Sequence, residues 1–185
     1  MTSQFHRLYR FGASTPSASQ PATDQPGLTA TVDRTSHRLE LHFKLDDSFG
    51  EFILAKPVAK PERCDNLWRS SCFEWFLAAS GSSIYWEFNL SPSGAWNIYR
   101  FSDYRQGMAR ENSYSALPFQ SKSQFEGLEL WINCNLSPII AANQSFELAL
   151  CSVLQHQDHS LSYWATHHPG CQPDFHDRGG FTLEF

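Results

Sequence analysis

The sequence predicts an all-β chain, an antiparallel β-sandwich or barrel, on three observations. Short segments of alternating apolar and polar residues recur along the 185 residues, separated by turn-forming residues. No stretch carries the i, i+3, i+4 spacing of a long, capped helix. Aromatic residues make up 15% of the chain, with 15 Phe, 6 Trp and 6 Tyr, which suits half-buried strand faces and flat apolar contact surfaces. The length is that of one domain, spanning 1–185, able to bury a core without a metal or a disulfide.

The elements follow in order. Residues 5–11 form a short opening segment. Residues 14–27, STPSASQPATDQPG, hold three prolines and no periodicity, and predict a flexible loop. Residues 28–33 and 38–45 read as two strands around a polar turn. In the second, Leu39, Leu41, Phe43 and Leu45 share one face and Glu40, His42 and Lys44 the other, so His42 is expected to face solvent. Further strands are expected at 72–77, 83–90, 95–101, 128–136, 145–154 and 180–185, with a short helix or extended loop over 103–112.

The hairpin made by 72–77 and 83–90 has a chemical consequence. A tip at Ser80-Gly81, or at residues 79–82, places residues whose numbers sum to 161 opposite each other. Phe73 then faces Phe88, Trp75 faces Trp86 and Leu77 faces Ile84, an apolar face fit for a core. On the other face Cys72 meets Asn89, Phe76 meets Tyr85 and Glu74 meets Glu87, the two carboxylates with β-carbons about 4.5–5.5 Å apart. Like charges so placed destabilise a sheet and require compensation. An arginine could bridge them, Arg63, Arg69, Arg100 and Arg105 being near in sequence. The pair could instead share a proton, hold a cation, or accept hydrogen bonds from a polar ligand.

Composition excludes several functions. The chain has 14 basic and 19 acidic side chains, a net charge of −5, and no run of like charges reaching five or six, so no footprint for nucleic acid is present. No apolar stretch approaches the length of a membrane span, and residues 1–10 lack the apolar core of an export signal. The five cysteines, Cys64, Cys72, Cys134, Cys151 and Cys171, are odd in number and include no C-x-x-C. Reduced thiols in a cytoplasmic protein are the expectation.

Longer motifs carry a resemblance. They run Arg63-x-Asp65-x-Leu67-Trp68, Cys72-Phe73-Glu74-x-Phe76, then Tyr85-x-Glu87-Phe88-Asn89-x-Ser91-Pro92-x-Gly94-x-Trp96, and Tyr104-Arg105-x-Gly107-Met108. Near the C-terminus come Tyr163-Trp164-Ala165, His168-Pro169, Pro173-Asp174-Phe175-His176 and Gly180-Phe181. Over residues 28–185 the chain resembles the DOMON-like proteins, small domains grouped with family 9 carbohydrate-binding modules and the sugar- or haem-binding DOMON superfamily. The resemblance implies a jelly-roll-like β-sandwich that binds a small ligand and performs no chemistry. In the sugar-binding relatives a sugar lies between two tryptophan rings while carboxylates, amides and arginines take its hydroxyls. Carried over, Trp68 and Trp164 are the tryptophan pair. Glu74, Glu87 and Asn89 form the hydrogen-bonding floor, and Arg63, Arg69, Asp174 and His176 the rim or the layer behind it.

Other constellations are weaker. Eight histidines include His156-x-x-His159, His167-His168 and Asp174-x-His176, but no spacing matches a defined metal motif. Haem ligation through Met and His, known in the superfamily, would fall to Met108, which reads more simply as gap-filling core. Glu74 and Glu87 could meet the spacing of a retaining glycosidase, yet no general acid is identifiable and no G-x-S-x-G elbow or phosphate-cradling glycine loop is present. The expectation is therefore a non-catalytic domain for a sugar or other polyhydroxylated small molecule, with no cofactor, nucleic acid or membrane. The alternatives are an enzyme acting on a glycan, a haem-binding domain and a protein-interaction module.

Overall fold

The structure, a computed structural model, describes residues 3–13 and 26–185. Of the loop expected at 14–27, residues 14–25 lie outside the described residues, and Gly27 already opens a strand. Twelve strands follow in order: β1 (Gln4–Arg10), β2 (Gly27–Thr35), β3 (Arg38–Asp46), β4 (Cys72–Ala79), β5 (Tyr85–Leu90), β6 (Trp96–Phe101), β7 (Ala109–Arg110), β8 (Phe119–Gln124), β9 (Gly127–Asn135), β10 (Phe146–Gln155), β11 (Leu161–Ala165) and β12 (Leu183–Glu184). Every strand pairing is antiparallel, and the only helical elements among the described residues are two three-residue 3-10 turns, Leu67–Arg69 and Arg178–Gly180. The expected antiparallel β-sandwich is the fold found.

The first sheet runs β1-β2-β3-β9-β8 and the second β7-β6-β5-β4-β10-β11, with β12 on the edge of β10. Strand β1 belongs to both: residues 4–8 pair with β2, while Tyr9 and Arg10 pair with β11. The core lies between the sheets. Leu28, Ala30, Val32, Leu39, Leu41, Phe43, Leu45, Leu128, Leu130 and Ile132 fill it from one side. Phe73, Trp75, Leu77, Trp86, Phe88, Leu90, Leu148 and Leu150 fill it from the other. Period-two alternation puts these residues inward. Phe43 meets Phe73 across the gap with ring centroids 5.5 Å apart, and Trp75 stacks on Phe88 at 4.3 Å.

The second sheet is also covered on its outer face. Strands β4 and β5 are buried at every position. Phe76, Ala78, Tyr85, Tyr99, Phe101, Ala149, Cys151, Ala165 and Phe181 form a second apolar cluster there, joined by Trp68 and Phe175. The cover is the 3-10 turn Leu67–Arg69 and the segment after β11.

The β4–β5 register differs from the expectation by two residues. Opposed residues sum to 163: Phe73 faces Leu90, Glu74 faces Asn89, Trp75 faces Phe88, Phe76 faces Glu87, Leu77 faces Trp86 and Ala78 faces Tyr85. The cause is a longer tip. Ser82 N–H bonds to Ala79 O, Gly81 has φ +75°, Ser80 N–H reaches Ser145 O, and Ser82 Oγ takes the Ile84 N–H. Ser83 and Ile84 therefore belong to the loop. A two-residue slip keeps every side chain on its expected face. Residues 103–112 form the expected extended loop, tightened where Gln106 N–H bonds to Asp103 O and ending in β7. No strand is expected from the sequence at β1, β7, β8 or β11: β8 is polar and exposed, and β11 breaks the alternation pattern. The strand expected over 180–185 shrinks to β12, with a 3-10 turn at Arg178–Gly180 before it.

Phe43→Ala leaves a ring-sized gap between the sheets. We expect a loss of about 3–5 kcal/mol in denaturant unfolding. A loss below about 1 kcal/mol would mean that the sheets do not pack through this ring.

Candidate functional site

The outer face of the second sheet carries a cavity of about 610 Å³, a size ordinary for small-molecule sites. Side chains that alternate away from the core form its floor: Glu74 and Phe76 on β4, Glu87 on β5, Phe101 on β6 and Val153 on β10. Leu161 and Tyr163 of β11 form one wall. Trp68 and Arg69, from the 3-10 turn, and Arg105 and Met108, from the loop before β7, close further sides. Pro173, Phe175 and His176 complete the enclosure.

Glu74 is 2% exposed and Glu87 is 4% exposed. They are diagonal rather than opposed, because Asn89 sits across from Glu74; diagonal positions are roughly 7 Å apart. Asn89 Nδ2 donates to Glu87 Oε1 at 2.8 Å, and the Cys72 thiol donates to Asn89 Oδ1 at 3.4 Å. No arginine bridges the pair. Glu74 Oε1 is buried with no hydrogen-bond partner. Burial, then the neighbouring Glu87 charge, pushes the Glu74 carboxyl well above its ordinary range. Burial pushes Glu87 up to about 7, against the Asn89 hydrogen bond and the Arg105 charge, which both favour ionisation. With no arginine across the pair, burial favours the protonated form of both carboxyls.

His176 stands beside Glu87, with Nε2 3.9 Å from Oε2. Burial and the Arg105 charge lower it to about 4, so the imidazole is neutral near pH 7 and the contact is not an ion pair. Tyr85 Oη takes the Arg105 backbone N–H at 3.1 Å and lies 2.8 Å from His176 Nδ1. The phenol, held protonated by burial with its value raised to about 12, therefore donates to Nδ1. That assignment leaves the proton of the ring on Nε2, on the side of Glu87.

The other expected site residues divide. Trp68 and Arg69 reach the cavity, and Asn89 acts from beneath by holding Glu87. Asp174 accepts from Tyr104 Oη, from Arg105 Nη2 at 2.8 Å and from the His176 N–H at 3.0 Å, and so ties the Tyr104–Arg105 loop to the His176 segment from behind. Arg63 does not reach the cavity. It donates to Asn97 Oδ1 at 2.7 Å and to the carbonyls of Ile98, Glu111 and Tyr114, and lies over the Trp96 ring. Trp164 does not reach it either. It is 6% exposed, points into the core and donates from Nε1 to Ser162 Oγ at 3.0 Å. Its neighbour Tyr163 faces the cavity instead, so a Trp68–Trp164 sandwich is geometrically excluded. The polar Ser162 turned inward hid this alternation in the sequence.

Phe175 is another wall residue missed, with Arg105, Met108, Leu161 and Pro173; it lies in a non-periodic segment, and only its place beside Asp174 and His176 in one motif pointed to it. Met108 is 48% exposed at the mouth and is not core filler. His42 is only partly exposed, stacked on Trp131 at 4.8 Å and bonded to Glu129 at 2.9 Å. No cluster of three or more His, Cys, Asp or Glu able to hold a metal exists among the described residues.

No family model matches the sequence, and no curated protein does. Solved structures of similar fold include a candidate carbohydrate-binding protein from Bacteroides uniformis. It is 15% identical with a TM-score of 0.65, over 97% of this chain and 84% of that one. Another is a family 9 carbohydrate-binding module from Caldicellulosiruptor kristjanssonii in complex with cellotriose. It is 10% identical with a TM-score of 0.55, over 98% and 80% of the two chains. The chain shares the β-sandwich fold of these proteins. At such identities that fold is what is shared, and the site rests on this chain's own residues.

Two predictions follow from the side chains described. Arg63→Met leaves three backbone carbonyls without their guanidinium donor, so a loss of about 2–4 kcal/mol is expected on chemical unfolding. A melt unchanged from the parent would show the strut to be dispensable. The second concerns pH. Folded-state values raised above the ordinary 4.5 mean that the stability from Glu74 and Glu87 is full below that value. It is lost as pH rises, for Glu87 through about 7. His176, depressed from 6.5 to about 4, works oppositely and loses its contribution as pH falls across that window. Glu87→Gln is neutral at every pH. It should melt close to the parent at pH 5 and above it at pH 8, by an increment on the order of 2 kcal/mol. Identical differences at both pH values would show that this carboxyl does not titrate in the folded protein.

Proposed function

We propose that the protein binds a small sugar or related polyhydroxylated ligand in this cavity and does not transform it. The observation that carries the reading is Glu74 Oε1, buried and unpartnered beside a second buried carboxyl at the floor of an aromatic-walled space. A buried polar atom without a partner costs about 1–3 kcal/mol, which a ligand hydroxyl can recover. A neutral carboxyl both donates and accepts, as a hydroxyl does. The faces of Trp68, Phe76, Phe101, Tyr163 and Phe175 suit the C–H faces of a sugar ring. A module of similar fold solved with cellotriose supports the reading, as does the motif resemblance to the DOMON-like proteins. The five free cysteines fit a cytoplasmic, reducing setting.

The carboxyl pair favours binding over glycoside hydrolysis. A retaining glycosidase needs one ionised carboxylate beside a protonated one. Here burial raises both, and no arginine or lysine among the described residues contacts either carboxyl to hold one as the ionised nucleophile.

A thermal-shift and calorimetry screen of mono- and disaccharides tests the proposal. A ligand at one hundred times its dissociation constant stabilises by about 2.7 kcal/mol, a shift of a few degrees. Trp68→Ala should weaken that ligand about tenfold. No shift with any sugar, or a hit indifferent to Trp68 and Glu87, would sink the reading. Turnover of a labelled glycoside, abolished in Glu74→Gln, would replace it with the enzymatic one.

A further inference from the structure

We propose that the ligand of this cavity is an amino sugar, whose ammonium group seats against Glu74 and Glu87. The inference rests on the sugar-binding reading and narrows it.

The geometry points to a cation. Two carboxyl groups from neighbouring strands line one cavity, and the only basic side chain within 4 Å of either among the described residues is the neutral His176, 3.9 Å from Glu87. The only side-chain amide donated to them is Asn89 Nδ2, on Glu87 Oε1, which leaves Glu74 Oε1 bare. A neutral hydroxyl can cap that oxygen but cannot offset charge. An ammonium supplies three N–H donors and a full positive charge to a site where two negative ones are withheld by burial. The rings of Trp68, Phe76, Phe101, Tyr163 and Phe175 around the floor add favourable aromatic faces for a cation.

A metal ion fits the same charge less well. Calcium wants six to eight oxygens and zinc four ligands, and no adequate cluster exists among the described residues. The basic residues lie at the mouth rather than on the floor. Arg105 is engaged by Asp174, and Arg69 is exposed.

The titratable and charged groups around the pair come from every packed element. They are Cys72 on β4, Tyr85 on β5, Tyr99 on β6, Cys151 on β10 and Tyr163 on β11. His176, Arg69 and Arg105 reach in from the covering segments, with Asp174 behind Arg105. Burial raises Cys72, Tyr85, Tyr99 and Cys151 and lowers His176, so each of these five is held in its neutral form. An ammonium entering this site draws Glu87, raised to about 7, fully into its ionised form, and the proton it still holds passes to the buffer. Affinity should therefore fall as pH is lowered.

Isothermal calorimetry of the full chain with glucosamine, galactosamine and mannosamine, each against its neutral parent and its N-acetyl derivative, provides the test. Titrations at pH 5, 6 and 7 in two buffers of different ionisation enthalpy count the protons released. We expect an amino sugar to bind about tenfold or more tighter than its neutral parent at pH 7. It should release about half a proton at pH 7 and nearly one at pH 6, and the advantage should shrink toward pH 5. Glu74→Gln and Glu87→Gln, isosteric and checked by melting, should erase both the preference and the proton release. Equal binding of amino and neutral sugars without proton release overturns the amine while leaving the sugar site. Methylammonium or ethanolamine binding with proton release, when no sugar binds, keeps the cation and overturns the sugar. A preference that survives both substitutions overturns the role of the carboxyl pair.

Discussion

Strand β4 is buried along its whole length on both faces, and the rest of the molecule depends on what each face meets. Its odd-numbered residues, Phe73, Trp75 and Leu77, pack against the first sheet and hold the sandwich together. Its even-numbered residues, Cys72, Glu74, Phe76 and Ala78, look outward, where an ordinary sandwich would meet water. A solvated face could carry Glu74 at no cost. This one is covered, so the same carboxyl becomes a buried group in need of a partner. The site is thus a consequence of covering the second side of a sheet.

The cover explains the chemistry. Trp68, Arg105, Phe175 and His176 come from loops and turns, and each is held by contacts outside the cavity. Arg105 and the His176 segment share Asp174. Tyr85 joins Arg105 to the His176 ring. Arg178 fastens the segment to Ser82 O at 2.7 Å and to Glu147. The enclosure lowers the local dielectric, which raises both carboxyls above their ordinary range and lowers the imidazole at the same time. Remove the cover and all three revert toward solution behaviour.

Much of this was legible in the sequence, for reasons that also explain the errors. Alternation assigns faces, so Leu39 to Leu45, Trp75 and both glutamates were placed on the correct sides. Alternation says nothing about register beyond parity, and the hairpin slipped by the two residues that its longer tip absorbs. Where a polar residue turns inward, as Ser162 does, the pattern inverts; Trp164 was then taken for the cavity residue in place of Tyr163. Phe175 and His176 belong to a segment with no period at all. Only motif resemblance singled out His176, and nothing in the pattern announced that this segment forms a wall. The resemblance puts Arg63 at the rim or in the layer behind it, whereas its donors all point at backbone and Asn97.

The position of that wall in the chain has a consequence for biosynthesis. Pro173, Phe175 and His176 follow every strand of the cavity floor in sequence, from β4 through β11. A ribosome delivers the floor first, with its apolar outer face still bare, and the segment that shelters it seconds later. Until that segment docks, Phe76, Phe101 and Tyr163 lack the cover of Phe175 and His176. A nascent chain at this stage presents a sticky sheet to chaperones or to its neighbours, and the step that ends its vulnerability is the one that creates the site.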